Sequence, residues 1–203
     1  MKDTFSRYVY KGVRFLIDKL IRETRSFRSF EKVKISKKEL EEVIEIARYS
    51  SSARNAQCIR YVLISNEEIC SQVFPHTKWA GFINWNPTEE ESPAAYILML
   101  NEKKIGVSEA MFNFDMGITS QNIMLKLRDM KYGGCLLGAY NKPVIKDLLE
   151  ISDDYDLGIL IATGKPKETV EIIDTTSDTR YFRSNDIHYV PKLRKADLII
   201  KNI

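Results

Sequence analysis

A chain of 203 residues, 44% hydrophobic and 29% charged, has the size and make-up of one soluble globular domain with a sizeable core. Its 31 basic and 28 acidic residues leave a net charge of +3, too mild to argue for a nucleic-acid partner. No apolar run reaches membrane-spanning length, no signal-peptide core opens the chain, and three cysteines without CxxC spacing speak against a disulfide framework, so a cytoplasmic protein is expected.

In chain order, Phe5, Val9, Val13, Leu16, Ile17 and Leu20 recur at helical spacing and predict an amphipathic helix over 4–23. A basic connector, Thr24 to Phe30, separates it from a second helix. That helix opens on a capping box, Ser36 with Glu39, and carries Leu40, Val43, Ile44 and Ala47 on one face to about Tyr49. A cluster of small and amide side chains follows (Ser50, Ser51, Ser52, Asn55 and Gln57), then a strand at 60–65 and a short helix at 67–73. Residues 75–93 read as a long loop bearing Trp79, Phe82 and Trp85, the kind of segment that forms a lid or a binding wall.

Ala95 to Leu100 predicts a second strand. Met111 to Met130, apolar on most sides, predicts a buried central helix. Gly133 to Ala139 reads as a glycine-weakened strand, Pro143 to Leu149 as a helix with proline in its first turn, and Leu157 to Thr163 as a fourth strand. Residues 167–190 read as polar and irregular, and Asp197 to Ile200 as a last short strand. The alternation of helices and strands gives an α/β or α+β class, with an N-terminal helix to residue 23 and one domain over 24–203.

Several motifs that would carry chemistry fail on spacing. The stretch from Gly158 to Lys165 is one residue too long for a P-loop, and Pro166 stands where Ser or Thr must meet magnesium. Gly133, Gly134 and Gly138 do not form GxGxxG and follow a helix, so a Rossmann reading fails too. Cys58 and Cys135 sit in apolar sequence away from both histidines, which favours a structural role over a nucleophilic one. Asp153, Asp154 and Asp156 lack EF-hand spacing and read as a solvated turn, and no zinc signature is present. The connector holds Arg25, Ser26 and Arg28 within four residues, a donor set suited to phosphate; "PKLRK" near the end adds Lys192 and Arg194. Each of these is also what a solvated basic loop looks like.

Their order along the chain carries more. Arg25-Ser26-Phe27-Arg28-Ser29-Phe30 forms a basic-Ser-x-basic-x-Phe segment; Ser52-Ala53-Arg54-Asn55-Ala56-Gln57 follows a helix; Asp115-Met116-Gly117-Ile118-Thr119-Ser120-Gln121-Asn122 lies in the central helix; Gly133 to Gly138 follows it; Gly164-Lys165-Pro166 ends a strand; and Lys192-Leu193-Arg194 closes the series. In this order, over roughly residues 22–200, the chain resembles the FMN-dependent nitroreductase family. It departs from the family pattern at Thr24, where a further arginine is common, at Cys58-Ile59, where Pro-Trp is usual, and at Thr119, where alanine is usual.

The resemblance implies an α+β nitroreductase-like fold: a central, mostly antiparallel sheet flanked by helices, and a C-terminal arm reaching a partner subunit. It implies FMN as cofactor, NADH or NADPH as electron donor, a small acceptor such as a nitroaromatic or quinone, and a homodimer with flavin sites at the interface, built in part by helix 111–130 and segment 191–203. By carry-over, Arg25, Ser26, Arg28, Lys192 and Arg194 would hold the phosphate. Ser52, Arg54, Asn55 and Gln57 would line the polar edge of the flavin ring, with Arg54 near the positions that become negative on reduction. Leu136, Leu137, Gly138 and Ala139 would pass behind the ring, with a backbone N–H toward N5. Dehalogenating or dehydrogenating flavin enzymes of the same fold, and a flavin-binding sensor without turnover, stay open as alternatives.

Overall fold

The computed structural model describes residues 16–203. Residues 16–23 are helical (α1); Phe5, Val9 and Val13 of the expected 4–23 helix lie outside the described residues. The other elements are β1 (Phe30–Glu31), α2 (Lys37–Ala47), β2 (Ile59–Ile64), α3 (Glu67–Val73), β3 (Ala95–Glu102), α4 (Glu109–Asp129), β4 (Gly133–Leu137), α5 (Lys142–Leu148), β5 (Tyr155–Pro166), β6 (Thr169–Thr175), β7 (Phe182–Ser184), β8 (Ile187–Leu193) and α6 (Lys195–Leu198).

The main sheet runs β1-β5-β3-β2, with β4 also on β5, and every pairing in it is antiparallel. All eight residues of β3 are buried, which explains its unbroken apolar run: a strand covered on both faces shows no polar alternation. The period of two survives in which core each side chain enters. Tyr96, Leu98 and Leu100 join the cluster under α3, α5 and the aromatic loop, whereas Ala95, Ile97 and Met99 join the cluster under α2 and α4. The mixed architecture with an antiparallel sheet agrees with the expected fold class.

The Ser36 capping box forms as the sequence requires. Ser36 Oγ accepts from the Glu39 N–H at 3.2 Å, and the Ser36 N–H donates to Glu39 Oε2 at 2.8 Å. Tyr132 adds its hydroxyl to Glu39 Oε1 at 2.7 Å, tying α2 to the turn before β4. These hydrogen bonds hold the Glu39 carboxyl below its usual range, the Ser36 side chain first among them.

Two expectations are corrected. Residues 167–190 are not irregular: β6 and β8 pair in parallel, and β7 pairs β8 antiparallel, in a separate three-stranded sheet. β6 interleaves Thr, Glu and Asp with Val and Ile, and β8 interrupts its apolar residues with His, Pro and Lys, so neither shows an unbroken apolar run. Asp197 to Ile200 is not a strand. Lys195–Leu198 makes one helical turn, and the chain beyond it is exposed, with Ile200 and Ile203 fully so. A β-prone triplet with no sheet edge to pair against has no reason to extend as a strand.

Gly158 of β5 illustrates how tightly the sheet meets α4. A Cβ there would stand 2.6 Å from Met116 Sδ and 2.9 Å from both the Met99 carbonyl oxygen and Phe112 Cζ. Gly158→Val is expected to destabilise the fold by about 2–3 kcal/mol, an overpacking cost that urea unfolding at neutral pH would read directly.

Candidate functional site

Two glycines in β4 place the basic connector. The Phe27 N–H donates to the Gly134 carbonyl at 2.9 Å, and Ser26 bridges Gly134 in parallel fashion. A Cβ at Gly133 would stand 2.4 Å from the Phe27 ring, and one at Gly134 2.9 Å from Ala162 O and from Met124 Sδ. Gly133, which weakens β4 as a strand in sequence, is thus what lets the connector lie against it, and Gly134 lets β5 and α4 close on β4.

Beside this contact lies a cavity of about 380 Å³, within the ~300–1,000 Å³ typical of small-molecule sites. Arg25, Ser26 and Arg28 of the connector, Leu136 of β4, Gln121 of α4 and Lys192 of β8 line it together. Three cations and a hydroxyl around one hollow form a binding site for a dianion. Arg25 Nη2 is held by the Ile21 carbonyl at 2.6 Å, while its Nε is buried without a partner among the described residues. Burial pulls the Arg25 guanidinium below its usual range.

Arg28 is held on several sides. Its Nη1 lies 3.3 Å from the Ser26 carbonyl and 3.3 Å from His188 Nε2, and its guanidinium stands 5.1 Å from the centre of the Tyr181 ring. Its backbone N–H donates to Glu168, which also takes the Ser29 N–H at 3.3 Å and pairs with Arg183. Burial pushes the Glu168 carboxyl up, against the pull of these N–H groups and of both arginines. Arg183 in turn stacks on Trp85 at 3.8 Å. His188 is buried, and desolvation, with Arg28 and Arg183 adding repulsion, lowers its pKa to about 4.

The 52–57 segment is a separate construction. Arg54, Asn55 and Gln57 all adopt positive φ, at 55°, 53° and 49°. Such a cluster of left-handed non-glycine residues is strained and must be over-determined by its surroundings. The anchors come from α4. The buried carboxylate of Asp115 accepts the Ala53 N–H at 2.9 and 3.1 Å, and Asn122 Nδ2 donates to Ser50 Oγ at 2.8 Å. Asp115 and Asn122 are seven residues apart, two turns along one helix face. The Gln57 N–H closes on Ser52 Oγ at 3.2 Å, and Gln57 Nε2 donates to Asn55 Oδ1 at 3.2 Å. Arg54, Asn55 and Gln57 themselves remain exposed.

Comparison with known proteins decides the family. A sequence model of the Nitroreductase family matches residues 21–165, well over half of the chain. The chain belongs to the nitroreductase family. Solved structures show the same fold at low identity. A nitroreductase family protein from Streptococcus pneumoniae is 17% identical with a TM-score of 0.66, covering 76% of this chain and 92% of its own. A protein from Exiguobacterium sibiricum, described as a nitroreductase and solved in complex with FMN, is 22% identical with a TM-score of 0.62, covering 73% and 87%. An FMN-dependent nitroreductase from Clostridium difficile is 16% identical with a TM-score of 0.60, covering 73% and 87%. No curated protein matches the chain.

Within this nitroreductase fold, the thirteen residues expected to hold FMN fall into groups. Arg25, Ser26, Arg28, Leu136 and Lys192 meet in the cavity. Ser52, Arg54, Asn55 and Gln57 do not line it. Arg54 touches Met111 Sδ at 3.9 Å, ten residues before Gln121 on α4, or about 15 Å along the helix axis. Leu137 turns into the core, Gly138 and Ala139 form the exposed turn after β4, and Arg194 pairs with Asp197 at 3.1 Å outside the cavity. Sequence reasoning missed His188 of β8 and Tyr181, the residue before β7, because the segment that carries them was read as irregular. Of the aromatic loop, Trp79 is a core residue. Phe82 is exposed and stands 5.2 Å from the Tyr181 ring, and Trp85 stacks on Arg183, so the loop borders the cavity without lining it. Among the described residues, no group of three or more His, Cys, Asp or Glu is placed to hold a metal, and no helix is long and apolar enough to cross a membrane.

Proposed function

We propose that this nitroreductase-family chain is an FMN-dependent oxidoreductase that takes electrons from NADH or NADPH and delivers them to a small acceptor. One observation carries the reading: Arg25, Ser26, Arg28 and Lys192 converge on a single cavity, three cations and a hydroxyl suited to a phosphate dianion. Bound FMN would supply a two-electron carrier between the nicotinamide and an acceptor such as a nitroaromatic or quinone.

The chain's own residues supply binding and orientation. The arginine forks and Ser26 would fix the phosphate, and Lys192 would close the cavity from β8. Leu136, 39% exposed on an otherwise buried strand, offers an apolar face beside the cavity. At Gly138, nothing lies within 4 Å of where a Cβ would stand, so a planar group can come close to the backbone there. A pre-strained turn at 54–57, fixed from α4, would present its amide groups to the ring edge without reorganising.

Because Arg54 meets α4 at Met111, about 15 Å along the helix from Gln121 in the cavity, we propose a homodimer in which a partner's turn completes each site. The outward face of α4 supports this. Phe114 is 68% exposed, and nothing lies within 4 Å of a Cβ built on Gly117, one turn further on. Phe114→Arg is expected to weaken dimerisation by roughly 30-fold or more, a loss of about 2 kcal/mol, read as a shift to monomer in sedimentation velocity. A variant that stays dimeric at the same concentration would refute this interface. The three buried free cysteines suit a reducing cytoplasm.

The decisive experiment is an absorbance spectrum of the purified protein with chromatography of the heat-released supernatant. Flavin bands and FMN near one per chain are expected, together with oxidation of NADH or NADPH when a quinone or nitroaromatic is added. A colourless protein that also takes up no added FMN would overturn the assignment.

A further inference from the structure

Arg28 is built from two directions: the connector supplies the side chain, and the small C-terminal sheet, which lies beyond the family match at residue 165, supplies what surrounds it. His188 of β8 is 1% exposed, with its Nε2 3.3 Å from Arg28 Nη1. A guanidinium donates and never accepts, so a hydrogen bond here has Nε2 accepting and the ring proton on Nδ1, which is buried and finds no partner among the described residues. Tyr181 packs against both members of the pair, its ring centre 5.1 Å from the His188 ring and 5.1 Å from the Arg28 guanidinium. The Ser26 carbonyl takes the same Nη1 at 3.3 Å. The guanidinium thus has an acceptor on either side of one nitrogen and an aromatic neighbour, while Arg28 still lines the cavity.

We propose, resting on the flavin reading above, that His188 is a positioning residue for the FMN phosphate: it accepts from Arg28 and, with Tyr181, locks the fork in the orientation that meets the phosphate oxygens. An unsupported arginine must lose several rotors' worth of freedom when it captures a phosphate; here that ordering is done in advance by the fold. The effect is confined to the phosphate end of the ligand, and so it discriminates FMN from riboflavin.

The test follows release of flavin on dilution from the full-length protein loaded with FMN or with riboflavin. His188→Leu is expected to weaken FMN retention about tenfold, the size of one lost hydrogen bond to a charged group, with riboflavin retention unchanged. His188→Gln, whose amide oxygen can accept from Arg28, is expected to recover most of the loss. Tyr181→Leu is expected to cost FMN about threefold through the lost cation–aromatic contact, again sparing riboflavin. It carries the test should His188→Leu fail to give a cooperative melting curve. Equal weakening of both flavins would mean a merely structural role and would overturn the proposal. So would a Tyr181→Leu protein, or a folded His188→Leu protein, that holds FMN as tightly as the native chain. A native protein that retains neither flavin would instead overturn the flavin assignment itself.

Discussion

Arg28→Ala is expected to weaken FMN binding by about 100-fold, the largest loss from any single side chain in the proposed site. The fork can make two charge-assisted hydrogen bonds to phosphate, each worth roughly 1.5–3 kcal/mol where burial excludes competing water. The substitution also strips His188 of its donor and Tyr181 of its cation. Lys192 is exposed on β8 and is a point charge without a fork, so its removal is expected to cost less. Equilibrium dialysis followed by flavin quantitation reads the effect. Unchanged occupancy in the alanine variant would remove Arg28 from the phosphate site, while leaving the family assignment intact.

The second large effect is a loss of stability in mild acid. His188 has a folded pKa of about 4, against about 6.5 for a free imidazole, because burial and two flanking arginines, Arg28 and Arg183, oppose a third cation. Between those two values the unfolded chain binds more protons than the folded one. The stabilisation is therefore complete above about pH 6.5 and is lost as pH falls toward 4, to a total of about 3 kcal/mol. For a chain of this size, that corresponds to about 6–12 °C in melting temperature. Carboxylates such as Glu39, held below their usual range, lose their contribution in acid as well. The diagnostic is the difference between native protein and His188→Leu across pH 7 to 4.5. The native protein should lose more, and parallel curves would show that His188 does not carry the effect.

How much of this was legible in the sequence depended on the kind of signal. β2, β3 and β5 of the main sheet, and α2, α3, α4 and α5, wrote themselves as apolar runs or helical periods, because burial on two faces or one face leaves that trace directly; β1, two residues long, lay unseen in the connector. The small C-terminal sheet did not. Its strands are polar and half-covered, and β6 and β8 are held together by a parallel pairing across an eleven-residue excursion that no local pattern announces. His188 and Tyr181 were lost with it: a lone histidine in polar sequence says nothing until a strand places it beside Arg28. The basic connector was visible as residue types, but its docking depended on glycines in β4 that by themselves only argued against a strand. The 52–57 turn shows the reverse case. Its amides stood out in sequence, yet what fixes them is Asp115, whose role is visible only once α4 lies behind the turn.

The grip of Asp115 and Asn122 on one side of α4, and the presence of Gln121 and Met124 in the cavity, make that helix a ruler. Every residue inserted or deleted between Asp115 and Gln121 would shift the turn held by Asp115 and the cavity by about 1.5 Å and turn them by about 100° relative to each other. A change of one or two residues would therefore leave one of the two facing the wrong way, and no side-chain substitution could repair it. Length variation in this lineage should accordingly be forbidden between positions 115 and 121, yet permitted beyond Leu198, where no cavity-lining residue depends on the count.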